Sequence, residues 1–187
     1  CIAISLAPPM AIVANAVVES ESVERSSSHA PKAPRTIANS TAAISQGLYP
    51  HAAVRAESFA DTRLPEGHFD AAIGNVPFSK VVLHDPVHNG TKQWMQNHFI
   101  LKSLRLVRPG GVVAVLTSHY TMDAQSPGAR REMNDLADII GAVRLPTGAH
   151  RRAAGTEALT DLLVFRRRED DRPPADDLWE TVRPITV

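Results

Sequence analysis

Residues 97–118, NHFILKSLRLVRPGGVVAVLTS, decide the fold class. The first half sets Phe99, Ile100, Leu101, Leu104 and Val107 on one stripe at the three-and-four spacing of a helix. Pro109-Gly110-Gly111 stops that helix: proline has no N–H to give it, and glycine loses the most backbone freedom inside it. Val112–Thr117, VVAVLT, is then almost wholly apolar, the pattern of a strand buried on both faces. Upstream, Phe69–Gly74, FDAAIG, predicts a strand running into Asn75. Downstream, a helix is expected over Gly128–Ala137 and strands over Asp138–Leu145 and Ala158–Arg166. A short helix at Thr41–Leu48, capped by Ser40, and a brief strand at Ala53–Arg55 complete the rhythm. Helices alternating with apolar strands predict an α/β domain with a mostly parallel sheet and crossover helices.

The ends follow a different rule. Residues 1–18 carry no charge, but Pro8-Pro9 and Asn15 interrupt them. They fall short of the roughly 20 apolar residues of a membrane span, and they lack a basic signal-peptide start. A buried strand over Ala11–Val18, or disorder caused by truncation, is expected instead. Residues 19–35, ESESVERSSSHAPKAPR, have linker composition. The expected organisation is an irregular segment at 1–35, an α/β domain at 36–168, and a charged tail or linker at 169–187 that leaves the domain. A first residue of Cys rather than Met predicts a piece of a longer protein.

The 187 residues hold 43% hydrophobic and 21% charged side chains, ordinary for a globular chain without a membrane. Lys+Arg and Asp+Glu are 20 each, so no global basic field points to nucleic acid, although a local patch remains compatible with that balance. One cysteine excludes an internal disulfide framework and a cysteine-built zinc site. His84, His88 and His98 stand among Asp85, Asn89 and Asn97 without HExxH or comparable spacing, so no metal is expected. Those residues belong either to a substrate-facing loop at 79–97 or to solvated surface.

The sharpest chemistry lies in Asn75-Val76-Pro77-Phe78, where the strand stops. Ligands of open α/β sheets bind at the carboxyl ends of strands. Asn75 offers an amide carbonyl, and the residue before Pro77 is held extended, so its own carbonyl is presented nearby. Two adjacent acceptors suit an exocyclic NH2 group, and Phe78 offers a face for a planar base. The plainer reading is a turn with a buried Phe.

These residues, in the setting FADTRLPEGHFDAAIGNVPF (59–78), resemble the Asn/Asp-Pro-Pro-Phe/Tyr motif of S-adenosylmethionine-dependent N6-adenine DNA methyltransferases. The Val variant is similar to that of large methylase–helicase proteins of mobile elements. The resemblance runs through residues 36–168, including the 97–118 unit, MDAQSPGARREMNDLADIIGAVRLP (122–146) and AGTEALTDLLVFRR (154–167). It implies a Rossmann-like class I methyltransferase sheet, mostly parallel with an antiparallel edge strand and irregular at the N-terminus. It further implies that Asn75 and the Val76 carbonyl accept the flipped adenine's amine while Pro77 shapes the turn and Phe78 stacks. Direct methyl transfer, a cytoplasmic location, and a helicase or target-recognition region in the same full-length chain are implied too.

The same resemblance calls for a glycine loop after the first strand and an acidic residue near Thr36, but no glycine precedes Gly47 and Thr36 has no carboxylate nearby. Glu19 or Glu21 would have to stand in. Ser58 occupies the place of an acidic contact to the cofactor's adenine, just before Phe59, with Glu57 and Asp61 flanking it, and Glu57, Ser58, Phe59 and Asp61 are the expected cofactor contacts. Phe99 is expected in the core or lining the base pocket, with His98 a remote candidate for general base. Arg130, Arg131, Arg144, Arg151 and Arg152 are the expected phosphate contacts. The Arg166–Arg168 run is blunted by the acidic residues that follow it. Two other readings stay open: a catalytically inactive DNA-binding module, and an RNA or protein-glutamine methyltransferase.

Overall fold

The computed structural model describes residues 2–5, 11–15, 35–169 and 172–182. Its strands are β1 (Ile2–Ser5), β2 (Ala11–Asn15), β3 (Ala53–Ala56), β4 (Phe69–Asn75), β5 (Val107–Ser118), β6 (Ala137–Arg144) and β7 (Thr160–Arg167). Its helices are α1 (Arg35–Leu48), α2 (Met95–Leu106), α3 (Tyr120–Asp123), α4 (Gly128–Leu136) and α5 (Arg151–Ala154). All seven strands join one sheet in the order β3-β1-β2-β4-β5-β7-β6. β2, β4 and β5 pair in parallel. β7 lies antiparallel between β5 and β6, and β6 therefore runs with β5. This order, with its reversed strand next to the edge, is the Rossmann-like class I methyltransferase sheet.

The N-terminal half departs from a regular doubly wound sheet. β1 runs antiparallel to both β2 and β3, so its carboxyl end lies at the edge opposite the ends of its neighbours. Residues 19–34 of the expected linker at 19–35 and the 16–18 end of the expected first strand lie outside the described residues, as do Glu19 and Glu21, while Arg35 already belongs to α1. α1 starts at Arg35, five residues before the expected cap, so Ser40 lies inside the helix and not at its start.

The core lies between the sheet and the helices α2 and α4. Ala72, Val113, Val115, Leu163 and Phe165 alternate along their strands and meet Phe99, Ile100, Leu104 and Met133. Positions of the opposite parity leave Ile73, Ile140, Val143 and Leu162 exposed. The tail also differs from expectation. Trp179 packs against Phe165, with ring centroids 5.9 Å apart, and the Glu180 and Asp176 carbonyls accept hydrogen bonds from Arg130 and Asn134 of α4.

The helix-to-strand junction is tighter than the sequence suggests. α2 ends at Leu106, and Val107 is already extended at φ −77°, ψ 138°. Phe69 pairs with Val107 but Ala71 with Val112, so Pro109-Gly110-Gly111 forms a bulge within β5 and does not serve as the loop before it. Gly110 takes φ +78°, the left-handed region. A Cβ on Gly111 would lie 2.6 Å from the Asp70 carbonyl and 2.4 Å from Val107 Cγ1. Gly111→Ala is therefore expected to cost about 1–3 kcal/mol in urea unfolding. Gly128→Ala meets nothing closer than Ser126 Oγ at 3.8 Å and should stay within about 0.5 kcal/mol.

Candidate functional site

β4 delivers Asn75 to the carboxyl edge of the sheet, opposite Leu116 of β5. The Val76 N–H donates to the Leu116 carbonyl at 3.0 Å and carries the ladder one residue further. Val76 and Pro77 are buried, which fixes the turn, while Asn75 stays exposed. Neither the Asn75 amide nor the Val76 carbonyl takes a hydrogen bond among the described residues. Phe78 is half-buried and leans on the core, leaving part of its ring open. Ser79 N–H then donates to Gln96 Oε1 at 3.2 Å, and Met95 N–H to the Val81 carbonyl at 2.9 Å. The segment after Phe78 is thus tied to the start of α2.

That segment is neither loose nor simply solvated. Asp85 and Asn89 are buried. Asn89 closes the loop on itself, donating to the Leu83 and Gln93 carbonyls and accepting from Gln93 N–H. Asp85 Oδ2 accepts from Lys102 Nζ at 2.9 Å and lies 3.1 Å from His98 Nε2, both partners fully buried. Lys102 also donates to the carbonyls of Phe59, Ala60 and Thr62 at 2.6, 3.3 and 3.1 Å. Burial alone would raise the Asp85 pKa, but the hydrogen bonds from Lys102, His98 and the His88 N–H outweigh it and hold the carboxyl well below its ordinary range. Burial pushes the His98 imidazole below its ordinary value, against the pull of Asp85. Burial likewise lowers Lys102. His98 is a neutral structural partner of Asp85, so the remote general-base role is not supported by its placement.

The sequence motif gave no direct sign of this cluster. One signal was available: His98 and Lys102 are four apart on the stripe that carries Leu101 and Leu104. A lysine on an apolar stripe needs an acidic partner from elsewhere.

The expected cofactor contacts divide. Ser58 opens a tight turn whose carbonyl accepts from Asp61 N–H, Thr62 N–H and Thr62 Oγ1. Asp61 and Ser58 are exposed, and Glu57 is exposed beside Arg55 at 3.6 Å. Phe59 is buried at 1%, its ring 4.8 Å from that of Phe99, so both are core side chains and Phe59 offers no ring to a cofactor. Of the expected cofactor contacts, Glu57, Ser58 and Asp61 thus keep polar groups open to solvent on one turn, as a contact to the cofactor's adenine would require. The segment after β2, where the amino-acid end would sit, contains no glycine, and the antiparallel β1 puts no carboxyl strand end beside it.

The expected phosphate contacts also separate. Arg130 is buried at 1% and gives its donors to the carbonyls of Thr121, Ala124 and Glu180, so it holds the tail and cannot reach a phosphate. Arg144 is held between Asp161 and Asp123, whose hydrogen bonds raise its pKa further. Its charge is answered within the chain. Arg131 is exposed 3.4 Å from Glu180 Oε2, and Arg151 is exposed and paired with Glu157. Arg152 is exposed with no ion-pair partner among the described residues. Among those residues no group of His, Cys, Asp and Glu is placed to hold a metal ion, and no helix is long and apolar enough to cross a membrane.

No protein-family model matches the chain, and no curated protein matches it either. Solved structures of similar shape include a Listeria monocytogenes protein put forward as a class I S-adenosylmethionine-dependent methyltransferase. It is 17% identical with a TM-score of 0.46, over 63% of this chain and 37% of that one. The M protein of the type I restriction enzyme EcoKI is 22% identical with a TM-score of 0.45, over 59% of this chain and 23% of that one. A modification subunit of a proposed type I restriction enzyme from Vibrio vulnificus is 19% identical with a TM-score of 0.44, over 56% and 27%. The chain thus spans well under half the length of each. The fold assignment stands on strand order and register, and these likenesses do not bear on it.

Lys102→Met leaves Asp85 charged and buried without its cation, and is expected to cost about 3–5 kcal/mol in denaturant unfolding. A Lys102→Met, Asp85→Leu double variant should recover most of that loss. The folded His98 holds fewer protons than the unfolded one, so stability is full above about pH 6.5 and falls as pH drops below it. The depressed Asp85 adds a second loss below about pH 4, again as pH falls toward its folded value. Melting temperatures measured from about pH 7.5 down to about pH 2 should show both limbs, and His98→Gln should remove the upper one.

Proposed function

We propose that the carboxyl edge of β4 is the target-base site of an S-adenosylmethionine-dependent N6-adenine DNA methyltransferase that works within a larger DNA-modifying protein. The observation that carries this reading is the pair of unanswered acceptors, the exposed Asn75 amide and the Val76 carbonyl, beside the half-open ring of Phe78. An adenine amine has two N–H bonds to give, and accepting both orients its nitrogen lone pair out of the ring plane. Orientation of that kind is the main contribution a protein makes to a direct transfer. A base must leave the duplex stack to enter such an edge. S-adenosylmethionine, where bound, supplies an electrophilic methyl group. Glu57, Ser58 and Asp61 are the residues proposed to meet its adenine end, and Phe59 would act only by packing beneath them. Arg131, Arg151 and Arg152 are the remaining proposed phosphate contacts. A helicase or target-recognition region is proposed to belong to the same full-length chain.

A second reading has its own observation. The reversed β1 and the glycine-free segment after β2 favour a base-binding module that transfers nothing by itself. Two measurements on the chain separate these readings. A short single-stranded oligodeoxynucleotide with one adenine should bind about tenfold more weakly to Asn75→Ala than to the parent chain, the loss of one useful hydrogen-bonding group. Binding indifferent to both the adenine and the variant would remove the base-site assignment. Transfer of labelled methyl groups to that oligonucleotide supports the enzyme, and adenine-dependent binding without transfer supports the module.

A further inference from the structure

A second feature stands at the same edge of the sheet and has no part in the base slot. Lys80 Nζ lies 5.4 Å from the ring centroid of Trp94 and 5.6 Å from that of Tyr120. Trp94 and Tyr120 keep 37% and 47% of their surface exposed, large values for aromatic residues. Each is fixed by the backbone rather than by its own packing. Trp94 sits at the N-cap of α2, and the strand-like bridge between Val82 and Trp94 holds it. Tyr120 begins α3 directly beyond the carboxyl end of β5, and the His119 ring stacks on it at 4.1 Å. His119 is anchored in turn through Nδ1 and its backbone N–H to the Leu159 carbonyl, each at 3.2 Å.

Lys80 is exposed and has no carboxylate within ion-pair distance among the described residues. Two part-exposed rings that share a cation, on rigid supports, match what a single nucleic-acid strand requires. Bases stack on rings whatever their identity, and the cation meets the phosphate between them. The position fits as well. Lys80 follows Phe78 by two residues, and Ser79 is tied to Gln96 two residues after Trp94, so a strand whose base occupied the Asn75 slot would pass over these rings next.

We propose that Lys80, Trp94 and Tyr120 form a subsite for the nucleotide adjoining the target base, so that the substrate is a locally single-stranded nucleic acid. The subsite rests on the base-slot reading for its register, but its binding chemistry is independent of adenine. A protein substrate would offer neither repeating phosphates nor stackable bases in register.

The test is quenching of tryptophan fluorescence in the full chain. Oligothymidylate of about six nucleotides, which has no adenine, should quench the emission, and Trp94→Leu should abolish that change. Trp94→Leu and Tyr120→Leu should each weaken binding about 5- to 100-fold, as expected for one lost base stack. Lys80→Gln should lower the slope of log affinity against log salt by about one, the loss of one phosphate contact. Oligothymidylate that neither quenches nor binds differently to the ring variants overturns the subsite. A glutamine-bearing peptide that quenches where the oligonucleotide does not overturns it as well. Quenching by oligothymidylate with no added gain from an adenine keeps the subsite and removes the Asn75 slot, so the two failures are distinguishable.

Discussion

An ammonium group kept from water must be answered on every side, and the answers given to Lys102 organise half of this domain. Three carbonyls from the turn after β3 and one carboxylate from the segment after Phe78 converge on its nitrogen. These two stretches are far apart in sequence and hold no regular structure in common. α2, which carries the lysine, lies against β4 and β5 through Phe99, Ile100 and Leu104. A single buried charge thus fixes both the turn that bears Glu57 and Asp61 and the segment that leads away from Asn75. The geometry is costly to set up, since removing two ions from water offsets much of their attraction. Its value lies in register: neither loop can slide along α2 without stranding a charge.

The carboxyl edge divides chemically along its length. Toward β6 and β7 most cations are already answered, Arg144 by two aspartates and Arg151 by Glu157, with Arg152 the exception. Beside β4 the reverse holds, with an exposed amide at Asn75, a Val76 carbonyl that takes no hydrogen bond among the described residues, and an unanswered cation at Lys80. What is informative is their grouping, with rings of fixed orientation between them.

The strands from β4 onward were legible because the sheet is covered by helices on its core side and its apolar runs are long. FDAAIG, VVAVLT and LTDLLVF each announce a strand by composition, and the β5 bulge is the one feature there that Pro-Gly-Gly disguised as a loop. The motif at Asn75 was legible for the same reason, since a strand end next to proline restricts the backbone whatever surrounds it. The Asp85–His98–Lys102 cluster was not, because charged residues outside a strand have the composition of surface. Lys80, Trp94 and Tyr120 escaped for a related reason: their meeting depends on α2 starting where β5 ends in space, a fact of topology. Arg130 shows the converse error, a basic residue beside a loop that is drawn inward by two nearby carbonyls and one arriving from 50 residues away. α1 outran its expected start because Ser40 costs little inside a helix and no proline or glycine between Arg35 and Ser40 stops it.

The returning tail sets a practical limit on where this domain can be divided. Trp179 covers Phe165, and the Glu180 carbonyl receives the Arg130 Nε donor while its carboxylate receives Asn134. A protein fused or cleaved just past Arg168 would uncover the Phe165 ring at the sheet and leave the buried Arg130 Nε without its acceptor. Recombinant boundaries drawn from charge alone would fall at that point. A chain carried through at least residue 182 retains the clasp, and any partner domain is better joined beyond it.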